Sequence, residues 1–532
     1  MKRRGGGRPL WLEKIDVEAV KRGGLDVDLE RLEREGYESL TPEEFYRLKT
    51  WGVCSQRTAG LHMIRIRVPG GRITSGHLRA VADLSGRYAD GGAHITTRQS
   101  LELHSVPSAD VRSVVTGLAS VGLVTRSACG HTVRNVVGCT RSGVCAGAPF
   151  DVRPTVQAIH EFFLSRAAQV NARLPRRLNV YVAGCGRCMS HAQVQDLGFV
   201  PTVEDSEPGF QLWCGGSSAS RPRLAELLLG FVPQAEVLAV TEALTDVYCE
   251  HGFRARPARA RLKFLVEEWG EERFAAEVLR WLRVLRPEAR TRRSPGAVVV
   301  GRDRRFSGEL SSVSHQRQPG YVCVEARVPL GDLTGEQLRG LAWSADRYGD
   351  GHLWLAREQN VELHWVPAAM ASEVLGRLEE LGLAKDDAAG LVDVQVCAGS
   401  EWCVWGVGDS RGLARRLEWE LRPLSVQQPD ARPLRVHVSG CSHGCAQHCT
   451  ADVGLQAVAS SEGEGFEVFA GGRLGAEPTL AQRLGRVGGP AAQGAVSGLV
   501  TDYLRLRQPG EDMTSFTARV LRRPSEGGDP TP

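Results

Sequence analysis

The sequence predicts an internally duplicated α+β protein, and two observations support this prediction. Residues 61–123 align without gaps on 321–383, with IRIRVPGGRIT matching VEARVPLGDLT and LELHSVP matching VELHWVP. Each copy is followed by a cysteine-bearing segment that contains an apolar strand and a double-glycine turn. Because self-similarity over this length indicates duplication, we expect two equivalent halves.

Each aligned copy reads as strand, helix, strand, helix. Alternating apolar residues run up to Pro69 or Pro329, and the helical patterns LRAVADLSGRY and LRGLAWSADRY follow. A second strand ends at His104 or His364 before another helix begins. This order predicts a sheet covered by helices on one face.

The remaining chain divides around these two copies, because 532 residues exceed what one hydrophobic core usually supports. The stretch between the halves is rich in Arg, Ser, Gly and Pro and is predicted to be a linker. The predicted parts are an N-terminal helical segment at 1–50, the first copy at 51–124, a larger α/β domain at 127–285, the linker at 286–318, the second copy at 319–384, a second α/β domain at 385–520 and a tail at 521–532.

The composition is that of an ordinary globular protein, with 42% hydrophobic and 24% charged residues. A formal charge of +4 gives no case for nucleic-acid binding. No apolar stretch is long enough for a membrane span, and the basic start lacks the apolar core of a signal peptide. We therefore expect a cytoplasmic protein, in which 14 cysteines act as metal ligands and buried thiols rather than as disulfides.

Four cysteines near the C-terminus carry the clearest chemical signal. Cys397 and Cys403 lie in CAGSEWC, and Cys441 and Cys445 lie in GCSHGC. Two short loops of this kind suit an iron–sulfur cluster, and their spacing differs from the C-x2-C typical of zinc. Buried free thiols, or a zinc site using His443, His448 and Cys449 with Cys445, are the alternatives; otherwise Cys449 is expected to be a core or supporting thiol.

The run GCSHGCAQHCTADVGL resembles the GCPxxCGQHxxADIGF signature of the siroheme-containing nitrite and sulfite reductases, with Ser442 and Ala446 as departures. This resemblance extends from about Leu25 to Arg519. It implies two ferredoxin-like half-domains that meet as one unit, and two pseudo-equivalent α/β domains that enclose siroheme and a 4Fe-4S cluster. It also implies that the cluster is held by Cys397, Cys403, Cys441 and Cys445, with Cys445 shared with the siroheme iron.

Three motifs of the first half resemble the anion pocket of that family: TTRQ at 96–99, HTVRNVVGC at 131–139 and LPRRLN at 174–179. Guanidinium groups neutralise and orient a bound oxyanion through paired hydrogen bonds. The second copy has Glu358 opposite Arg98, so only the first copy suits an anion. The resemblance implies Arg98, Arg134, Arg177 and Asn179 as catalytic residues, and Arg67, Gln99, Asn135, Gln447 and Cys445 as cofactor-binding residues.

The implied activity is the six-electron reduction of nitrite to ammonia by a monomer that takes electrons from a small donor such as ferredoxin. No convincing dinucleotide fingerprint is present. Asn179 favours nitrite, because sulfite reductases of the family tend to have a second lysine there. The alternatives are a sulfite reductase, a precorrin-3B synthase-like enzyme of corrinoid synthesis and a zinc-stapled scaffold without redox activity.

Two further groups of cysteines stay open at this point. Cys139, Cys145, Cys185 and Cys188 repeat the cluster separation in the first half, either as a vestige of duplication or as a second cluster or metal site. Cys54 stands where some sulfite-reducing relatives have a tyrosine, beside a cysteine that matches Cys129.

Overall fold

The computed structural model describes residues 15–186, 188–293, 312–384, 392–427, 434–460 and 463–520. The first 14 residues, most of the predicted linker and the predicted tail lie outside these ranges. The N-terminal segment is helical, as predicted: α1 spans Val17–Arg22, α2 Leu29–Glu35 and α3 Pro42–Thr50. Helix α3 begins with a capping box, in which Thr41 and Glu44 each accept a hydrogen bond from the other's backbone N–H.

The first half-domain follows the predicted strand and helix order. Strand β2 alternates half-buried and buried residues, as expected of a strand with one face on a core. The elements of the first half-domain are β1 Val53–Ser55, β2 Leu61–Ile66, β3 Arg72–Thr74, α4 Ser75–Tyr88, β4 Gly92–Ile95, β5 Leu101–Pro107 and α5 Val111–Ser120.

The first α/β domain contains a five-stranded sheet in the order β10-β9-β8-β7-β6, in which β6, β7 and β8 are parallel and the others antiparallel. Its core is a separate cluster of apolar side chains. Its elements are β6 Val137–Gly138, α6 Arg153–Ser165, α7 Ala167–Arg173, β7 Val180–Val182, β8 Leu197–Glu204, β9 Glu207–Cys214, β10 Glu226–Pro233, α8 Val237–His251 and α9 Leu262–Leu285.

The second half-domain repeats the first. Helix α10 also begins with a capping box, formed by Thr334 and Gln337. The elements of the second half-domain are β11 Val313–His315, β12 Tyr321–Ala326, β13 Asp332–Thr334, α10 Gly335–Tyr348, β14 His352–Leu355, β15 Val361–Pro367 and α11 Ala371–Glu380. Strand β11 lies inside the predicted linker at 286–318, so that prediction placed the start of the second half-domain a few residues too late.

The two half-domains form one unit because each gives a strand to the other. The first sheet has the order β1-β2-β5-β4-β13 and the second β11-β12-β15-β14-β3. Strand β13 pairs antiparallel with β4, and β3 pairs antiparallel with β14. A single cluster of buried apolar side chains runs through both sheets. The predicted meeting of the half-domains is therefore confirmed, with exchanged strands at its centre.

The second α/β domain has the same sheet order as the first, β16-β17-β18-β19-β20, with β16, β17 and β18 parallel and the last two strands antiparallel. Its elements are β16 Val392–Val396, α12 Gly399–Trp402, α13 Ser410–Gln427, β17 Leu434–Ser439, β18 Val453–Ser460, β19 Gly463–Ala470, β20 Gln482–Gly488, α14 Gly489–Leu506 and α15 Met513–Val520. The duplicated α+β fold is confirmed. None of the helices described is long and apolar enough to cross a membrane.

Candidate active site and metal centre

The four C-terminal cysteines lie on two loops at one edge of the second α/β sheet. Cys397 follows β16, and Cys403 follows the short helix α12. Cys441 and Cys445 follow β17, the strand parallel to β16. Because neighbouring parallel strands end at the same sheet edge, the two loops converge as the sequence predicts.

Backbone N–H groups surround these thiols. Gly440 donates to Cys397 Sγ over 3.1 Å, and further backbone N–H groups donate to Cys403 and Cys441. Burial and the neighbouring thiols raise the pKa of Cys397 and Cys441 to about 12. Buried thiols that repel one another when ionised, yet have N–H donors in place, suit thiolates bound to a metal cluster.

A four-iron cluster fits these loops better than a single ion does. In a cubane each thiolate binds a different iron, so the four sulfur atoms need not converge on one point. Across the ranges that the structure describes, no three His, Cys, Asp or Glu side chains are arranged to hold one metal ion. The alternative zinc site at His443, Cys445, His448 and Cys449 therefore has no support from the geometry.

The cluster loops are anchored to the first half-domain. Residue Gln56 forms a backbone bridge to Cys403, and its side chain bonds His104 over 3.1 Å. The His104 ring stacks on Trp402, with ring centroids 3.9 Å apart. Thr97 of the TTRQ turn donates to the carbonyl oxygen of Cys445 over 2.8 Å. The exposed Cys445 thiol therefore lies beside the turn that carries Arg98.

The predicted anion residues come together from three separate loops. The Arg98 guanidinium donates to Asn179 Oδ1. Arg134 donates to the carbonyls of Ala128 and Gly130 over 2.9 and 3.1 Å. Arg177 has no hydrogen-bond or ion-pair partner among the residues described, and each of these three arginines is only half-buried.

The charges of this pocket are poorly compensated. Burial lowers the pKa of Arg98, Arg134 and Arg177. Arg134 lowers the pKa of Arg98 further, and Arg98 and Arg134 lower that of Arg177, whereas Cys129 offsets part of the shift at Arg134. The nearby carboxylate, Asp196, is already committed to Arg261, with two contacts of 2.9 Å. A pocket with three neighbouring cations and no free carboxylate of its own suits an anionic ligand.

The predicted cofactor-binding residues support these loops. Asn135 donates to the carbonyls of Val68 and Arg98 over 2.8 and 3.0 Å. Gln99 has a positive φ of 57° and exchanges two hydrogen bonds of 2.9 Å with the backbone of Gly138. A direct contact of either side chain with a cofactor stays a prediction.

Arg67 and Gln447 are also occupied by protein groups. The buried Arg67 guanidinium donates to the carbonyls of Ser127 and Val133 over 3.2 and 2.8 Å, which places it behind Arg134 rather than in the pocket. Gln447 accepts a hydrogen bond of 2.9 Å from Arg357. Their predicted contacts with a cofactor stay predictions, and the structure gives both a supporting role.

Sequence reasoning missed Thr97, Asp196, Arg261 and Arg357. Asp196 fixes the Arg177–Asn179 loop, because it accepts the backbone N–H of Asn179 over 2.9 Å while it binds Arg261. Only Arg357 left a usable signal, since the repeat aligns it with Thr97, and both side chains bond the Cys445–Gln447 loop.

Cys54 and Cys129 are in hydrogen-bonding contact beside this pocket. Arg65 donates to Cys129 Sγ over 3.1 Å. The Cys54 thiol, Arg65 and Arg134 together lower the pKa of Cys129 to about 5, against its burial. The pair therefore combines a thiol whose pKa is lowered with one whose pKa is raised by the contact and by burial.

The residues around Cys445 suit siroheme, an iron tetrapyrrole with carboxylate side chains. The pocket offers an exposed thiol for an iron and cations for carboxylates. Two buried polar atoms of the residues assigned to this site, Arg134 Nε and Asn135 Oδ1, lack a hydrogen-bond partner among the residues described. Such atoms need a partner from outside the chain.

Comparison with known proteins agrees with this arrangement. The model of the nitrite and sulphite reductase 4Fe-4S domain matches residues 129–284 and 387–504. The model of the nitrite/sulfite reductase ferredoxin-like half domain matches residues 55–121 and 314–381. Each α/β domain and each half-domain is therefore matched separately.

Whole-length relatives were found as well. A ferredoxin–nitrite reductase of Synechococcus elongatus is 32% identical, over 89% of this chain and 92% of its own. An assimilatory ferredoxin-dependent nitrite reductase of Haloferax mediterranei is 30% identical, over 94% of this chain and 89% of its own. A ferredoxin sulfite reductase of Mycobacterium tuberculosis is 26% identical, over 94% of both chains. The solved structure of the NirA protein of that organism superposes with a TM-score of 0.84 and 25% identity, over 97% of both chains.

Proposed function

The chain belongs to the nitrite and sulphite reductase family, and on that premise we propose that it reduces nitrite to ammonia. As the family implies, it is an enzyme that uses siroheme and a 4Fe-4S cluster. The reaction consumes one nitrite, six electrons and eight protons and yields ammonium and two waters. When bound, the cofactors supply the electrons, and the chain supplies position, charge and proton donors.

The observation that best supports this proposal is the positive pocket beside Cys445, which is lined by three arginines. Arg177 has no partner within the described part of the chain, while Arg98 and Arg134 are held by Asn179 and by backbone carbonyls. A bound nitrite would accept hydrogen bonds from these guanidinium groups and gain negative charge during reduction. Donors that are already in position stabilise such charge without reorganising.

Asn179 supports nitrite over sulfite as the substrate. Its amide is neutral and is oriented by the hydrogen bond from Arg98. A lysine there would add a positive charge next to three arginines, which favours a dianion such as sulfite over a monoanion. The relatives that are at least 30% identical and named above are nitrite reductases, whereas the sulfite reductase is 26% identical.

Steady-state kinetics with a small chemical reductant test this substrate choice. We expect kcat/KM for nitrite to exceed that for sulfite in the wild type, and Asn179→Lys to narrow the ratio by about tenfold or more. Asn179→Ala is the control, because it removes the hydrogen bond to Arg98 without adding charge. A wild-type preference for sulfite would show that the enzyme is a sulfite reductase.

For the electron donor, we propose a small acidic protein of the ferredoxin type that docks where the cluster loop meets the surface. Trp405 and Val407 of this loop are 40% and 43% exposed. Lys49 Nζ lies 5.4 Å from the centroid of the Trp405 ring, and the exposed Arg57 donates to the carbonyl of Gly406. An apolar centre with cations at its rim suits an acidic partner.

Charge reversal at Lys49 tests the docking site. Lys49→Glu should lower kcat/KM for reduced ferredoxin about tenfold at low salt and leave the rate with a small chemical reductant unchanged. Arg283→Glu, an exposed position on helix α9 of the first α/β domain, is the control. Equal losses with both reductants would place the docking site elsewhere. We also propose that the protein is cytoplasmic and monomeric. Analytical sedimentation of the purified protein would test the monomeric state.

A further inference from the structure

A second set of four cysteines lies in the first α/β domain, at positions equivalent to those of the cluster ligands. Cys139 donates its N–H to the carbonyl of Val182 over 3.1 Å, as Cys397 does to Val438 over 3.4 Å. In both halves this cysteine follows the outer strand of a parallel pair, β6 beside β7 or β16 beside β17. The C-x5-C spacing is also the same in both halves.

The thiols of this first-half set contact one another directly. The Sγ atoms of Cys185 and Cys188 are 3.9 Å apart. The Cys145 thiol is the neighbour of the Cys185 thiol, and the Cys139 thiol is the neighbour of the Cys188 thiol. The four thiols therefore form a chain in the order Cys145, Cys185, Cys188, Cys139.

Gly184 allows this close approach. Its N–H donates to Cys188 Sγ over 2.9 Å, and a Cβ at this position would lie 2.9 Å from Cys139 Sγ. Any side chain at position 184 would push the Cys139 loop away from Cys188. The glycine thus keeps the two loops within reach of a covalent bond.

This arrangement differs from that of the cluster ligands. In the described parts of the chain, no Sγ–Sγ contact joins the cluster thiols, whereas the Cys185 and Cys188 thiols are 3.9 Å apart and have Cys145 and Cys139 as neighbours. No three of them surround one point, so a single metal ion does not fit. We propose that the first-half set is a thiol–disulfide exchange site, which closes into two disulfides, Cys139–Cys188 and Cys145–Cys185.

The pairing follows from the order of the chain. Each outer thiol, Cys139 or Cys145, has one thiol neighbour, so joining it to that neighbour uses all four sulfurs. The oxidant is a low-molecular-mass disulfide: a protein thiolate attacks one of its sulfurs and releases one thiol, and the second cysteine then displaces the other. Each protein disulfide forms with loss of two thiol protons, while one small disulfide is reduced to two thiols.

The exchange is expected to be slow at neutral pH. Cys145 lowers the pKa of Cys185. The hydrogen bond with Cys188 and burial outweigh this effect and raise the pKa of Cys185 to about 11. The hydrogen bond with Cys185 and burial also raise the pKa of Cys145. Because the thiolate is the attacking form, the rate should increase as the pH is raised.

The site is connected to the anion pocket through a short path. Cys139 follows Gly138, whose backbone exchanges two hydrogen bonds with the Gln99 side chain, and Gln99 follows Arg98. The Cys139–Cys145 loop also carries Arg141, which binds Glu362 of the second half-domain over 2.9 Å. Oxidation would therefore fix a loop that contacts both the pocket and the other half of the protein.

Mass spectrometry of the intact holoenzyme tests the proposal. After incubation with oxidised glutathione, the chain should lose about 4 Da, two hydrogens for each disulfide. Peptide mapping after alkylation should find the Cys139–Cys188 and Cys145–Cys185 links. Cys139→Ser should keep only the second link, with a loss of about 2 Da. The buried Cys214, in strand β9, offers a control: Cys214→Ser should oxidise like the wild type.

Three results would overturn the proposal. One is an unchanged mass, or glutathione adducts without internal links, under conditions that leave the cofactor absorption intact. Another is a Cys185–Cys188 link with both outer thiols free. The third is stoichiometric iron or zinc beyond the siroheme and the cluster that is absent from a Cys139→Ser/Cys145→Ser variant, because it would make the set a metal site.

Discussion

Replacing Arg177 gives the sharpest test of the anion pocket. Arg98 is bonded to Asn179 and Arg134 to two carbonyls, whereas Arg177 has no partner among the described residues. If it binds the substrate, Arg177→Met removes one donor that acts on developing charge. Loss of one such donor typically costs about 10²–10³ in rate, or about 2.7–4 kcal/mol. We expect that loss in kcat/KM for nitrite.

The same substitution should leave the stability of the protein unharmed. Burial lowers the pKa of Arg177 well below its ordinary value, because the charged form is poorly solvated and lies near Arg261 and Arg98. Methionine fills most of the same volume without that charge, so the free energy of unfolding should be unchanged or higher. A structural arginine would show the opposite, with stability and activity falling together.

The control is its chain neighbour Arg176, which binds His131 over 3.0 Å. Arg176→Met should retain a kcat/KM within a few-fold of the wild type. Siroheme absorption and iron content are measured in the same preparations. A fully loaded Arg177→Met enzyme with wild-type nitrite reduction would refute the pocket assignment, and a variant without siroheme would show that Arg177 binds the cofactor instead.

Two further predictions follow from the cluster loops and from a buried ion pair. Cys445→Ser should lose both the cluster and the siroheme signals, because the cysteine is expected to bind both groups; full iron and siroheme content in that variant would contradict the ligand assignment. Burial would raise the pKa of Glu362, but Arg141 and His364 lower it from 4.5 to about 2. Its contribution to stability is therefore complete above pH 4.5 and is lost as the pH falls toward 2, so urea unfolding should show the advantage of the wild type over Glu362→Gln shrinking between pH 5 and pH 3. A constant difference would mean that Glu362 is not ionised in the folded protein.

The duplication, the element order and the cluster cysteines were predictable because they rest on local patterns. The strand exchange was not predictable, because β3 and β13 are only three residues long. Each pairs with a strand of the other copy, more than 200 positions away in the sequence. Short strands carry almost no periodicity, and nothing in either copy tells which sheet its strand will join. Strand β4, which pairs with the exchanged strand β13, leads directly into the TTRQ turn.

The residue types of the site were predictable from the sequence, but the role of each residue was not. The family resemblance implied Arg98, Arg134 and Arg177 as catalytic residues and Arg67 as a cofactor-binding residue. Only the structure separates Arg67, which supports backbone carbonyls, from Arg177, which has no partner among the residues described. Such roles depend on partners that lie far away in sequence, and composition alone cannot assign them.

The two halves share a backbone frame but differ in charge at one turn, and this difference supports placing the proposed anion pocket in the first half. Gln99 and Gln359 both have positive φ, at 57° and 68°, and both bond the first strand of the following α/β domain. The residue before each glutamine is Arg98 in one copy and Glu358 in the other. Glu358 lies 3.4 Å from Arg357, so the second copy carries its own counter-charge, whereas the first leaves its cations for a ligand. Duplication therefore kept the geometry of both turns, while the charge of the residue before the glutamine has opposite sign in the two copies.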